Sequence, residues 1–494
     1  STKVNNYHAK YWTVKRTTVV GMGNPLVLAY DIECNSKKLI VPDKNKIDDY
    51  IGMISLVYAK MNDKEMTKEL ITIFKPNPIP GVTVHVCKSE KELLNKFRER
   101  VREISPIWIC GYNIDGFDTP YMRQRFAMYS IPFDFSKVNN HVFEPKFIKG
   151  SMNGRFRDGF VFNAPGILSK DLCKTANAKL RIRRYTLDSV AVEMFGKKEE
   201  ENKMDIGGHE QIFLAMQNYD PKDPKSVEHA TQIGIYCVRD SEVCIRLFNR
   251  FGVHVDDASM SNASVVTMDV LNTRGQMVRT LAQMYKIAKN SKPQIFMTQR
   301  GKCSESFVGG SVSTPIVGFH KDVACLDFNS LYPSIIIAYN IDYHTLINPE
   351  YYHDMDNDPE TKKIWGDPYD KDTNPNGKWH KIICPEGDRT YEYRYVTKTF
   401  AGDIGLLPRN AVNLLATRKI AKGEMAKCEY GSVEYKLADA KQLAVKIVNN
   451  SAYGFLMAPG NWASIECGRS VTAKGRESKL LVEVIIREKY GGIV

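Results

Sequence analysis

The chain has 494 residues, 43% of them hydrophobic, so it can bury large cores, and its length suggests about three domains. Lys and Arg number 69 against 57 Asp and Glu, a formal net charge of +12 that suits a polyanionic partner such as nucleic acid. No apolar run reaches the ~18 residues that a bilayer span needs, and no signal peptide opens the chain. The cysteines form no CxxC pair and the histidines no HxxxH, which argues against a zinc site or a disulfide framework and for a reducing compartment. The first residue is Ser1 rather than Met, so further sequence upstream is expected.

In chain order, the first informative run is Pro25-Leu26-Val27-Leu28-Ala29-Tyr30, which reads as a strand and ends in Asp31-Ile32-Glu33. Strand alternation puts Asp31 and Glu33 on one face and turns Ile32 into the core. Two like charges side by side on a buried strand repel, and a divalent cation would resolve the conflict. Pro106-Ile107-Trp108-Ile109-Cys110 is a second apolar strand. It runs into Gly111-Tyr112-Asn113-Ile114-Asp115-Gly116-Phe117-Asp118, a turn that delivers Asp118 to the start of a helix. A helix N-cap is the plain structural alternative for that Asp. Ile233 to Leu247 carries a helical pattern that sets Tyr236 and Asp240 on one face, where a solvated face is the alternative.

Taken in order, Asp-x-Glu, Asn-x-x-x-Phe-Asp and Tyr-x-x-x-Asp resemble the three exonuclease motifs of the DEDD proofreading fold. The resemblance implies that Asp31, Glu33, Asp118 and Asp240 hold two metal ions about 4 Å apart. One ion would activate the attacking water and the other stabilise the leaving 3′-oxygen, with Tyr236 orienting the water. Asp171, Tyr185, Thr186 and Leu187 fall where that fold has further segments. Asp188 stands where Asn is common there and is given no role.

Thr273-Arg274-Gly275-Gln276 resembles the helix linking exonuclease and polymerase domains in delta-like family B DNA polymerases. Phe307-Val308-Gly309-Gly310 resembles their Tyr-x-Gly-Gly element, with Phe307 replacing the Tyr. Next, Val323-Ala324-Cys325-Leu326 reads as a buried strand. It leads into Asp327-Phe328-Asn329-Ser330-Leu331-Tyr332-Pro333-Ser334-Ile335-Ile336-Ile337. A carboxylate at a strand end is well placed to hold a divalent cation against a triphosphate, and the aromatic beyond it can lie flat beneath a sugar. The wording resembles motif A of family B DNA polymerases. By that resemblance Asp327 and the carbonyl of Phe328 hold metal, Ser330 and Leu331 help bind the nucleotide, and Tyr332 excludes ribonucleotides.

Residues 348–402 are polar and rich in Asp and Pro, and a surface elaboration is expected there. Leu406 to about Cys428 and Val433 to about Ala452 read as two helices separated by Gly431 and Ser432. Arg418 and Lys422 share one helical face, as do Lys446, Asn450 and Tyr453. Such a basic hairpin is a clamp for a triphosphate, Arg offering a bidentate fork and Lys point charges, unless it is only a solvated amphipathic pair. The run Lys441 to Gly454 resembles the fingers motif B of family B polymerases, with Asn449 where a small residue is common. That resemblance assigns Arg418, Lys422, Lys446, Asn450 and Tyr453 to nucleotide binding.

Lys489 to Val494 reads as a helix end, a glycine turn and the start of a strand, and the Tyr-Gly-Asp-Thr-Asp hairpin of motif C does not occur. The expectation is a piece without the N-terminal domain, motif C and thumb, from an incomplete reading frame or else a split gene or intein break. The expected fold class is α/β, with a ribonuclease H-like DEDD 3′–5′ exonuclease domain followed by a partial palm and helical-hairpin fingers. Expected bounds are a remnant at 1–25, exonuclease at 26–250, helical linker at 251–300, first palm part at 301–405, fingers at 406–457 and palm continuation at 458–494. The resemblance implies template-directed DNA polymerisation with proofreading, with Mg²⁺ as cofactor and Mn²⁺ able to substitute. The partners it implies are primer-template and single-stranded DNA, dNTPs and a sliding-clamp processivity factor, with no membrane. The implied location is the nucleus or a viral replication compartment of the host cell. Two rivals are a stand-alone 3′–5′ exonuclease with a vestigial palm and a non-catalytic DNA-binding scaffold.

Overall fold

A computed structural model describes residues 24–61, 63, 65–135, 146–148, 159–161, 164, 166–196, 208–291, 307–457 and 463–492. Most of the remnant expected at 1–25 and the strand start expected at 493–494 lie outside these residues. Backbone contacts divide the chain into two compact units, residues 1–254 and 255–494.

The first unit is built on a mixed sheet. Its strands are β1 (Leu26–Cys34), β2 (Ile51–Lys60), β3 (Thr67–Thr72), β4 (Val82–Val86) and β5 (Trp108–Gly111). A separate short antiparallel pair, β6 (Lys146–Ile148) and β7 (Gly159–Val161), precedes the sixth strand of the sheet, β8 (Leu168–Asp171). The order is β4-β3-β2-β1-β5-β8. The β1–β2 and β2–β3 pairs are antiparallel, and β3–β4, β1–β5 and β5–β8 are parallel. One of the two central strands is therefore β1, the one that carries Asp31 and Glu33. Its apolar residues Leu28, Tyr30 and Ile32 enter a core with Ile54, Leu94, Phe97 and Ile109.

Helices cover the sheet. They are α1 (Glu90–Ile104), α2 (Asp118–Met128), α3 (Leu172–Lys179), α4 (Leu187–Phe195), α5 (His209–Gln217) and α6 (Pro224–Arg250). Arg125 of α2 and Glu90 of α1 are both buried and paired. Arg125 Nε donates to Glu90 Oε1 at 2.8 Å, and the same oxygen accepts from Ile51 N at 2.8 Å. This pair fixes the helix that begins at Asp118. In α6 the start is set by Pro224 at the first position and by Asp223, whose carboxylate accepts from Lys225 N and Ser226 N. Its buried stripe, Ile233, Cys237, Ser241, Cys244 and Phe248, has helical spacing. Ser55 of β2 docks that stripe, donating from Oγ to Cys237 O at 2.8 Å and sharing a hydrogen bond with Ser241 Oγ at 2.7 Å.

The second unit is mainly helical. Its elements include α7 (Met268–Thr273), α8 (Gln276–Asn290), α9 (Leu331–Ala338), α10 (Tyr352–Asn357) and α11 (Pro359–Trp365). A hairpin of β9 (Trp379–Glu386) and β10 (Arg389–Val396) follows, then α12 (Leu406–Met425), α13 (Val433–Met457) and α14 (Ile465–Tyr490). The Thr273–Gln276 stretch is a junction between two helices rather than the body of one. Arg274 is extended and Gly275, costly inside a helix by ~1 kcal/mol, caps α8. The start of α12 is pinned by the residues after α9. Asn340 Oδ1 accepts from Gly405 N at 2.9 Å, and Asp342 Oδ2 accepts from Leu406 N at 2.7 Å. A Cβ at Gly405 would stand 2.5 Å from that of Asp342, so the close approach requires glycine.

Two expectations need correction. Val323–Leu326 is not a buried strand. It runs without regular structure, with Val323 75% and Leu326 69% exposed. A strand exists only through a neighbour's ladder, and among the described residues the one ladder of this unit joins β9 with β10. Nor is the span 348–402 only a surface elaboration. Ile382, Cys384, Tyr393 and Tyr395 of its hairpin belong to the same core as Ile335, Leu406 and Val471. Along β9 buried Ile382 and Cys384 alternate with exposed Lys381, Ile383 and Pro385, so one face of that strand turns inward.

Candidate active sites

The carboxylate cluster of the first unit starts from strand geometry. Asp31 pairs with Ser55 and Glu33 with Met53, so both side chains leave β1 on one face, while Ile32 between them is buried. The register shifts between Glu33 and Cys34, a bulge that ends the regular ladder directly after the second carboxylate. Carboxylate oxygens of Asp31 and Glu33 and the Sγ of Cys237 all lie within 4.8 Å of one another.

Asp118 joins them as the first residue of α2. The N-cap position belongs to Phe117 and no side chain caps there, so Asp118 is not spent as a cap. Burial pushes its carboxyl up to about 7, against which a hydrogen bond from the Ile32 backbone works. Asp31 is raised well above the usual carboxylate range by burial and then by the charges of Glu33, Asp118 and Asp240. Glu33 is raised by burial and by Asp240 and Asp118. On α6, Tyr236 hydrogen-bonds Asp240, and its phenol is raised by burial and then by Asp240, Glu33 and Asp31. Four carboxylates from β1, α2 and α6 thus stand in one mutually repelling field, with the Tyr236 phenol beside them. Such a donor set fits hard divalent cations of the Mg²⁺ or Mn²⁺ kind, which would cancel the repulsion.

The turn that presents Asp118 has a brace that the sequence reading left without a role. Asp171, at the end of β8, accepts from Asn113 N at 3.0 Å and Asp115 N at 3.3 Å, and caps α3 by accepting from Cys173 N at 2.9 Å. Burial, followed by the charge of Asp115, raises its carboxyl to about 6. Asp115 itself pairs with Lys174 at 2.6 Å. Tyr112 Oη donates to Tyr185 O at 2.6 Å, and Thr186 caps α4 by accepting from Ser189 N. The one local signal for Asp171 was an Asp between a strand and a helix. Cys237 was also unforeseen, since its place beside Asp31 follows from docking of α6 and not from spacing.

The second unit gathers part of the other set. Asp327 and Phe328 lie on the exposed stretch before α9, and Ser330 caps that helix in a left-handed conformation, φ 53°. Tyr332, on the first turn of α9, packs against Tyr453 of α13 with ring centroids 4.5 Å apart at 47°. Leu331 packs beside them on the core. The helices α12 and α13 form the expected hairpin, and Arg418 Nε donates across it to Gln442 Oε1 at 3.3 Å. Lys422, Lys446 and Asn450 are exposed on the two helices. Asn449 is buried, and its Oδ1 lacks a hydrogen-bond partner among the described residues. The structure therefore brings Tyr332 and Tyr453 together, while Asp327 is presented to solvent.

Two family models match this sequence. The one for DNA polymerase family B covers residues 266–490, and the one for the DNA polymerase family B exonuclease domain covers residues 2–190. Tyr236 and Asp240 lie between these spans. The chain is similar to the DNA polymerase delta catalytic subunit of Dictyostelium discoideum, 30% identical over 473 residues, covering 94% of this chain and 39% of that protein. The corresponding protein of Drosophila melanogaster is 30% identical over 457 residues, covering 91% and 38%. The chain thus spans about two fifths of the length of these curated relatives. Its fold is similar to that of the family B DNA polymerase from Pyrobaculum calidifontis, with a TM-score of 0.62 at 22% identity, covering 95% of this chain and 52% of that one. With both models matched and the carboxylates of the exonuclease motifs gathered at one place, the chain belongs to DNA polymerase family B.

Proposed function

We propose that this chain carries the 3′–5′ exonuclease, first palm part and fingers of a delta-like replicative DNA polymerase, that it removes nucleotides at a DNA 3′ end, and that it takes part in adding them only within a longer polymerase. The observation that carries the reading is the convergence of Asp31, Glu33, Asp118 and Asp240 from three elements into one field. In the exonuclease reaction these four carboxylates hold divalent cations, Mg²⁺ with Mn²⁺ able to substitute. Bound there, the metal pair supplies an activated water and charge neutralisation at the leaving 3′-oxygen. Tyr236, held by Asp240, orients the water by its phenol. Asp171 keeps Asp118 in place through the Asn113 and Asp115 backbone.

In the polymerase reaction Asp327 and the Phe328 carbonyl hold metal, and Ser330, Leu331, Tyr332, Arg418, Lys422, Lys446, Asn450 and Tyr453 bind the nucleotide. Arg418 and the two lysines meet the triphosphate with charge-assisted hydrogen bonds. The ring of Tyr332, backed by Tyr453, packs where a 2′-hydroxyl would sit. Primer-template DNA and dNTPs are the substrates, a sliding clamp is the processivity partner, and the site of action is the nucleus or a viral replication compartment. The net charge of +12 supports a nucleic-acid partner, and no described helix is long and apolar enough to cross a membrane.

The test is directional. With Mg²⁺ and single-stranded DNA, a 5′-labelled strand should shorten stepwise, and a 3′-labelled strand should release labelled mononucleotide at once. Release from the 5′ end, or internal cuts, would refute the exonuclease assignment. Primer extension by a polypeptide that joins this chain to a downstream palm and thumb tests the polymerase half, with no extension as the refuting result.

A further inference from the structure

We propose that the ring of Tyr332 is seated in a slot between two glycines, Gly310 and Gly475, and that these two positions set the enzyme's discrimination between ribose and deoxyribose. The inference rests on the reading of Tyr332 as the sugar gate. A Cβ built on Gly310 would lie 2.8 Å from Tyr332 Oη, and one built on Gly475 would lie 3.1 Å from Tyr332 Cε1 and 3.8 Å from Cδ1. Gly310 therefore meets the hydroxyl end of the ring and Gly475 its edge. Neither glycine has a positive φ, so space and not backbone conformation is what each provides. Tyr453 contacts the ring as well, at 4.5 Å between centroids, so the ring is held on three sides.

One helix builds both walls. Gly475 belongs to α14, and the same helix holds the backbone that carries Gly310. Thr472 Oγ1 donates to Val308 O at 3.1 Å, and Arg476 Nη1 donates to Val308 O at 3.0 Å and Gly309 O at 2.8 Å. Lys479 Nζ donates to Ser311 Oγ at 3.2 Å, and Val308 N donates to Glu386 Oε1 of the hairpin at 3.3 Å. The Phe307–Gly310 element is thus strapped to α14 by polar bonds, so a methyl at Gly310 moves the tyrosine rather than the strap. Gly310 and Gly475 act on the sugar through the Tyr332 ring and are positioning residues.

The two contacts differ in which atom they meet, and this gives the test. Polymerase carrying this chain is assayed for the ratio of kcat/KM with a dNTP to that with the matching rNTP. Gly310→Ala should shift the ratio by about fivefold or more, and the shift should shrink to within about twofold when Tyr332→Phe is the background, because the clashing hydroxyl is gone. Gly475→Ala should shift the ratio by a similar factor in both backgrounds, because Cε1 remains. A loss of kcat with the sugar ratio unmoved would overturn the proposal. Tyr332→Ala serves as the check on the underlying reading. If it leaves the ratio unchanged the gate itself is misassigned, whereas a response to Tyr332→Ala without the glycine pattern overturns the slot alone. Independently of turnover, a crystal structure of the Gly310→Ala chain should show the Tyr332 hydroxyl displaced from its place beside residue 310, and an unmoved ring would contradict the inference.

Discussion

Asp118 ties the exonuclease site to pH. Its carboxyl is pushed up to about 7 from an ordinary 3.8, so the folded, metal-free protein holds that proton more tightly than the unfolded chain does. For an acid shifted upward, the stabilising contribution is complete below about pH 4 and is lost as pH rises through about 7. In EDTA the melting temperature should therefore fall between pH 5 and 8, and Asp118→Asn should flatten part of that slope. Added Mn²⁺ should stabilise the wild type more at pH 8 than at pH 5.5, because the metal competes with protons for the same oxygens. An unchanged slope in Asp118→Asn would show that its proton is not taken up in this window. Lys446 is a second residue-scale case. Its exposed ammonium is assigned to the incoming triphosphate, and Lys446→Ala should lower kcat/KM for dNTP by about 10- to 100-fold in an extending enzyme, as for a lost charge-assisted contact of ~1.5–3 kcal/mol. Primer-template affinity should barely change. Collapse of DNA binding with intact nucleotide kinetics would assign the lysine to the DNA track instead.

Among the elements, the hairpin inserted between α9 and α12 owes its seat to Arg394. The guanidinium lies 4.5 Å from the ring centroids of both Tyr352 and Trp379, and donates to Asp356 through two nitrogens at 2.9 and 2.6 Å. Its Nε donates to Glu392 at 2.7 Å. Because the carboxylates are partly exposed while the arginine is not, Arg394→Ala should cost about 2 kcal/mol, and Arg394→Lys most of that, since an ammonium reproduces neither the fork nor the stack. Urea unfolding measures it, and a loss below ~0.5 kcal/mol would refute the structural role. In α13 the Oδ1 of buried Asn449 has no hydrogen-bond partner among the described residues, so Asn449→Ser should change stability by less than ~1 kcal/mol despite its burial. A drop of several kcal/mol would reveal a partner for that oxygen. The helices of this hairpin were legible in advance because their period is local: the expected Leu406 to Cys428 and Val433 to Ala452 became Leu406–Met425 and Val433–Met457. β1 and β5 were legible as apolar runs bounded by turn residues. The β9–β10 hairpin was not, since its strands alternate amid polar residues and their pairing decides the fold. Val323–Leu326 has the apolar content of a strand, but a strand also needs a neighbour, which no local pattern reveals. Asp31, Glu33 and Asp240 were readable from motif order, whereas Asp171 and Cys237 reach the site only through packing of β8 and α6.

At the scale of the whole molecule, the two units differ in how much of a site each assembles. The first holds a donor set assembled entirely from described residues. In the second, no group of three metal-ligating side chains gathers at Asp327 among the described residues. The chain spans about two fifths of its curated relatives, so polymerisation is a property proposed for a longer assembly, and hydrolysis of a DNA 3′ end is the activity this chain should show by itself. The rate at which purified residues 1–494 shorten a 5′-labelled single strand with Mg²⁺, compared between wild type and Asp31→Ala with Glu33→Ala, is the most direct measurement. The account predicts stepwise shortening that falls by about a thousandfold or more in the double variant, with melting temperature preserved, because the cation pair loses the β1 ligands. Undiminished shortening by the double variant would contradict it and place the nuclease centre elsewhere.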